Sequence, residues 1–257
     1  MNNWKGAGWL LPASSFLIIL LLWELISRFS GWSSQVFPGP LRVLGSIGEM
    51  LQDGTLLQHA AASLYRVTVG FYIAALLGIP LGILIGRVAI AYRMLNPLIQ
   101  FLRPISPLAW IPLAMLWFGI GDKPAIFLIF LASFFPIVVS TAVAVSAINP
   151  IYFQVAANFR LSRREVAFRV VIPAILPDVV TALRISVSIA WLVVVAAEMI
   201  AVQSGLGYLI LDSRNALRMD YVMVGMIVIG LIGVLLDYVM KGLGRLESTA
   251  WARKSST

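Results

Sequence analysis

The chain has no cysteine, a single histidine and only 11 acidic residues among 257. Without cysteine there is no disulfide framework, no thiol nucleophile and no thiolate metal site. The lone histidine, His59, has no second imidazole to join in a metal site and reads as a solvated or interfacial residue rather than a ligand. Nowhere does Gly-x-x-x-x-Gly-Lys-Ser/Thr occur, so the chain cannot take energy from a nucleotide through a phosphate loop of its own. Gln203-Ser204-Gly205-Leu206-Gly207 lacks the third glycine and the preceding strand that a dinucleotide loop needs. A membrane enzyme would need a polar catalytic cluster in or beside its spans, and none is visible. A secondary transporter would need coupled intramembrane ionisable groups; only Glu198 qualifies, and no internal repeat is evident.

What the chain has in abundance is apolar sequence. It is 60% hydrophobic and 12% charged, with a mean hydropathy of +0.94, the profile of an all-α, polytopic membrane protein. The net charge of +8 is spread over loops and tails, which suits anionic lipid at the inner leaflet and not nucleic acid. Hydropathy places six spans at about 9–29, 66–86, 104–121, 124–148, 184–202 and 221–240, all in one domain covering 1–257. The first apolar run is long for a signal peptide and reads as a retained span. Between spans 1 and 2, Leu41 to Val43, Leu44, Ile47, Met50 and Leu51 recur at the spacing of an amphipathic helix.

Several span residues stand out. Ala74, Gly78, Gly82 and Gly86 repeat every four residues, a seam that lets another helix approach. Pro104, Pro107 and Pro112 predict a bent or broken third span. Ser106, Trp110, Leu113 and Trp117 share an arc that either faces a pathway or packs on another helix. Ser133 and Ser140 share a face in the fourth span, and Ser188, Trp191 and Glu198 share one in the fifth. Glu198 is the one carboxylate well inside a span. It is either an ion pair with Arg214, Arg218 or Lys123 outside, or a gating group.

Residues 149–177 form the most polar long stretch. Asn149 followed by Pro150 predicts a helix start, and Ser162-Arg163-Arg164-Glu165 has capping-box spacing, so two short helices should meet at a bend, the second ending at Pro173. Arg160, Arg163, Arg164 and Arg169 mark a cytoplasmic loop. Such a loop is either a rigid lever or a basic segment held at anionic headgroups. With the N-terminus inside, inner segments carry Lys5, Arg87, Arg93, these four arginines, Lys241, Arg245, Arg253 and Lys254. That outnumbers Arg28, Arg42, Arg66, Lys123, Arg214 and Arg218 outside, with Arg103 and Arg184 at inner span ends.

The stretch resembles the Glu-Ala-Ala loop by which membrane subunits of bacterial ABC importers dock on their ATPases. Gln154-Val155-Ala156 or Val155-Ala156-Ala157 falls at the triplet, Arg160 at the family's glycine, and Ile172-Pro173 through Leu176-Pro177 at the closing prolines. Three further stretches are similar to the nitrate, sulfonate, taurine and bicarbonate branch: Arg103 to Pro112, Trp117 to Gly121, and Ile189 to Tyr208. The resemblance implies a type I importer permease in a bacterial inner membrane, N- and C-termini cytoplasmic. It implies a second permease copy, two ATPases holding ATP and magnesium, and an extracytoplasmic binding protein, with no cofactor in this chain. The ATPase contact would be Gln154, Val155, Ala156, Ala157, Asn158, Phe159, Arg160, Leu161 and Ser162. The pathway for a small oxyanion would be lined by Ser106, Trp110, Trp117, Ser133, Ser140, Ser188 and Trp191. A secondary transporter or channel-like protein without an ATPase is the alternative.

Overall fold

Helix-forming sequence dominates, and the computed structural model, which describes residues 10–29 and 31–243, is helical with no strand among them. Lys5, Trp9 and the tail residues Arg245, Arg253 and Lys254 lie outside the described residues. Helix α1 (Leu10–Phe29) is tied to the chain that follows it by two polar contacts. The Trp23 indole N–H donates to the Pro38 carbonyl at 3.1 Å, and the Ser27 hydroxyl to that of Phe37 at 3.2 Å. Its apolar side chains from Phe16 to Leu22 are exposed, as lipid-facing residues would be.

The expected amphipathic helix is α2 (Pro40–Gln52), with Pro40 in its first turn and Val43, Ser46 and Met50 buried. It ends before residue 55. Residues 55–62, expected to belong to this surface segment, instead begin α3 (Thr55–Arg87), a helix of 33 residues. Next come α4 (Ala89–Leu102), a 3-10 turn (Pro107–Trp110), α5 (Ile111–Phe118) and α6 (Asp122–Ser146). Helices α7 (Pro150–Asn158) and α8 (Arg163–Val166) make the loop, followed by α9 (Ile172–Ala201), α10 (Leu206–Asn215) and α11 (Met219–Leu243).

Helices α3, α6 and α9 form the centre of the bundle, with α10 and α11 packed on α9 and α2 on α11. The small-residue seam makes the α3–α6 contact. A Cβ built on Gly82 would lie 2.6 Å from the Thr141 Cβ and 2.7 Å from the Val138 carbonyl oxygen, so the two backbones approach as no larger residue allows. In lipid no water drives helices together, and close packing of this kind replaces that force.

Four helices among the described residues are long and apolar enough to cross a bilayer: 55–87, 122–146, 163–201 and 219–242. The pair Ala89–Leu102 and Pro107–Phe118, bent by 87°, makes up to a fifth. That is four or five where six were expected; α1, at 20 residues, rises about 30 Å, the thickness of a hydrocarbon core. Two boundaries differ from expectation. The third span does not start at Pro104, because helix already begins at Ala89 and the prolines break it midway. The fifth does not start at Arg184: the second loop helix, expected to stop at Pro173, passes through a π-turn (Ala167–Val171) into α9. The wider turn comes just before Pro173, where the missing N–H and the ring would otherwise disrupt an α-helical ladder.

Candidate functional site

At the loop end of the bundle, local sequence sets the geometry. The Asn149 side chain accepts from the Ile151 N–H at 3.0 Å, and Pro150 follows at the first helical position. The Ser162 hydroxyl accepts from the Glu165 N–H at 3.3 Å, while the Ser162 N–H donates to the Glu165 carboxylate at 2.9 Å, a complete capping box. Between the two helices Arg160 adopts φ +51°, the left-handed conformation that glycine takes most easily. The turn is closed by the Leu161 N–H donating to the Ala156 carbonyl at 3.0 Å. Ala156 is buried against its own chain; Gln154, Val155, Ala157, Asn158, Phe159, Arg160 and Ser162 are exposed, and Leu161 is half-buried. Ile151, Tyr152, Val155 and Phe159 add a solvent-facing apolar surface to this basic corner.

The opposite end is closed by a buried ion pair that sequence reasoning did not find. Glu198, at 0% exposure, is paired with Arg66 at 2.6 Å, not with Arg214, Arg218 or Lys123. Its other oxygen accepts from the Ser63 hydroxyl at 2.8 Å and from the Gly207 N–H at 3.0 Å. Arg66 also donates to Asp122 at 2.8 Å, to the Ser204 carbonyl at 2.8 Å and to the Ser204 hydroxyl. His59, expected in a solvated or interfacial setting, is half-buried and accepts the Gly205 N–H through Nδ1 at 3.0 Å. Every polar atom named here is satisfied, which is what a charge needs to persist out of water. Arg218 is engaged elsewhere, with Asp220 at 2.9 Å, and Asp220 also accepts from the Ser46 hydroxyl of α2 at 3.0 Å.

The seven residues expected along a pathway separate into two groups. Ser106 is exposed at the break after α4, Ser140 half-buried on α6, and Ser188 exposed on α9 with its hydroxyl bonded to the Arg184 carbonyl at 3.2 Å. Trp110 and Trp117 bring their rings to 6.4 Å, and Trp117 also meets Phe127 edge-on. Ser133 and Trp191 do not reach the surface of the subunit. Ser133 is fully buried, and Trp191, 5% exposed, donates its indole N–H to the Ile229 carbonyl at 3.0 Å. Trp191 therefore fastens α9 to α11; its N–H is not free to meet a solute.

A helical membrane bundle with a broken span and an exposed two-helix loop defines a transport subunit of the type I importer fold. The solved methionine ABC transporter MetNI, in an inward-facing conformation, superposes on it with a TM-score of 0.67 at 17% identity, covering 77% of this chain and 97% of that one. Residues 78–247 match the family of binding-protein-dependent transport system inner membrane components, and the chain belongs to that family. It is 35% identical to the taurine transport system permease protein TauC of Escherichia coli, over 94% of this chain and 89% of that protein. It is 36% identical to the nitrate import permease protein NrtB of Synechocystis, over 88% and 84%. The bicarbonate transport system permease protein CmpB of Synechococcus elongatus is 37% identical, over 95% and 92%. The chain is thus a permease subunit of an ABC importer.

Proposed function

We propose that this permease carries a small oxyanion of the nitrate, bicarbonate or sulfonate class by alternating access, driven by ATPase subunits that grip α7. The observation that carries the motor reading is the α7–α8 corner: capped at both helix starts, apolar on its exposed face, and bearing three arginines that no side chain among the described residues engages. A rigid corner with an unsatisfied surface is suited to transmit force from a partner. The loop end is then cytoplasmic, both termini lie on that side, and the Arg66–Glu198 end faces outward to a binding protein. Two copies of the chain would enclose the route, and ATP and magnesium belong to the ATPases.

The anion class is supported by the relatives' transport of taurine, nitrate and bicarbonate and by the accessible donors Ser106, Trp110 and Ser140. Uptake into vesicles by the assembled transporter tests it, with nitrate, bicarbonate, taurine and an amine of similar size as cargo. Anion uptake without amine uptake is expected; efficient amine transport sinks the reading. Ala157→Asp, on the exposed side of α7, tests the motor contact more cleanly than Ala156→Asp, which would disturb a buried residue. Full ATP-driven uptake by Ala157→Asp would show that α7 is not the contact.

A further inference from the structure

Sequence alone puts Arg103 at the inner end of a span, and the structure moves it. It stands immediately after α4, at the 87° break, and lines a cavity of about 300 Å³ with Trp110, Phe135, Pro136, Ile189 and Val193. Depth follows from the helices on either side. Asp122 and Ala201 lie at one level, since Arg66 bonds Asp122 and Glu198 together and the Gly121 N–H meets the Ala201 carbonyl. From that level the cavity's α6 residues, Ala132 to Pro136, lie about 15–21 Å along the helix, and Val193 and Ile189 about 12–18 Å along α9. In a hydrocarbon core about 30 Å thick that is the midplane.

A guanidinium at this depth requires a partner. Arg103 has none: among the described residues its side chain makes no hydrogen bond or ion pair, and no carboxylate lines the cavity. Arg66 and Arg184 differ, since Glu198 engages the first and Asp237, at 2.7 Å, the second. Trp110 lines the same cavity, and its indole N–H is also without an acceptor among the described residues. A cation and a hydrogen-bond donor thus belong to one cavity where a span loses its helical form, the place at which membrane transporters expose polar groups to cargo.

We propose that Arg103 and Trp110 form the anion-binding station of the translocation route, with the Arg103 guanidinium holding the oxyanion and the Trp110 N–H orienting it at the helix break. The inference rests on the oxyanion reading above and deepens it. A planar fork suits two oxygens of nitrate, bicarbonate or a sulfonate and gives an amine nothing but repulsion. The surrounding wall of Phe135, Pro136, Ile189 and Val193 offers no further hydrogen bond, so binding stays weak enough for release.

The test uses the chain assembled with its ATPase and binding protein in vesicles, with nitrate, bicarbonate and taurine as probes. Arg103→Gln should lower uptake of the carried anion roughly tenfold or more. Binding-protein-stimulated ATP hydrolysis should persist, a split that a merely structural arginine would not give. Arg103→Lys should recover part of the rate, and Arg93→Gln, a charge removed elsewhere on α4, should leave it unchanged. Should Arg103→Gln fail to assemble, Trp110→Phe, which keeps the ring and deletes the donor, should still slow uptake severalfold. Normal anion uptake by Arg103→Gln, or by Trp110→Phe where the first does not assemble, overturns the station and leaves the oxyanion reading intact. Uptake of none of the three anions by the native assembly defeats that reading, and the station with it.

Discussion

Arg66 is 2% exposed and has Asp122, Glu198 and both Ser204 oxygens around it; Arg160, Arg163 and Arg164 stand in the open and engage no side chain among the described residues. The same side chain serves opposite ends of the bundle in opposite ways. At the Arg66 end the guanidinium and the Ser63 hydroxyl spend their donors internally, which ties α3, α6, α9 and the 202–206 turn together. At the α7–α8 end the caps, the turn and Glu165 are satisfied internally, while Arg160, Arg163 and Arg164 engage no side chain among the described residues and remain available to another protein. Alternating access needs both kinds of end: a body that transmits motion without deforming, and a handle with unspent contacts.

The contrast breaks most severely at Arg66. Arg66→Met leaves Glu198 buried and uncompensated, at a cost of about 3–5 kcal/mol. Thermal unfolding in detergent should show it, and Arg66→Met with Glu198→Leu should recover much of the loss because no lone charge remains. A loss under about 1 kcal/mol for Arg66→Met would mean that the Arg66 end is not the rigid one.

The seam is the next most sensitive place. Gly82→Ala puts a methyl against the Thr141 side chain and the Val138 backbone, which cannot withdraw, so a loss of about 1–3 kcal/mol is expected. Gly48→Ala on α2 is the counterpart. Nothing lies within 4 Å of its Cβ, and a helix gains about 0.5–1 kcal/mol from the exchange. Equal shifts in the two variants would refute the close α3–α6 approach.

At the loop the effects shrink. Ser162→Ala removes the cap of α8 and should cost about 1 kcal/mol, read locally as faster amide exchange at Glu165 and with little change in the melting of the spans. A global melting shift as large as that of Arg66→Met would show that the two ends are not separable.

How much of this the sequence revealed depends on the distance between partners. Asn149 and Ser162 were legible because a capping side chain and the N–H it accepts from lie two or three residues apart and every link is local. The seam was legible because a four-residue repeat of small side chains has few other uses in a membrane. Arg66 and Glu198 are 132 residues apart, and only the packing of α3 on α9 joins them; charge counting therefore offered Glu198 nearer partners. Trp191 looked like a pathway donor because its face contained Ser188 and Glu198, while the acceptor that occupies its N–H, the Ile229 carbonyl, belongs to another helix. Arg103 was misplaced for a different reason. Its prolines announced a break, but hydropathy counted α4 as loop, so the arginine was set at the start of a span and not at the break within a bent helix pair.

The smallest expected effect concerns Arg160, where two costs nearly cancel. At φ +51° an L side chain is disfavoured by about 1 kcal/mol relative to glycine. Glycine, however, frees the unfolded chain by about 0.5–1 kcal/mol and removes a cation from the C-terminal end of α7, where the helix dipole favours it by a further few tenths. Arg160→Gly should therefore change stability by less than about 1 kcal/mol in either direction. Arg160→Val separates conformation from charge. A β-branched residue tolerates the left-handed region worse than arginine does, so this variant should lose about 1–2 kcal/mol locally. Amide exchange at Leu161, whose N–H closes the turn on Ala156, reads both: protection retained in Arg160→Gly and lost in Arg160→Val. Equal protection in the two would mean that the corner does not depend on a left-handed residue at 160, and that the α7–α8 handle owes its shape to the caps alone.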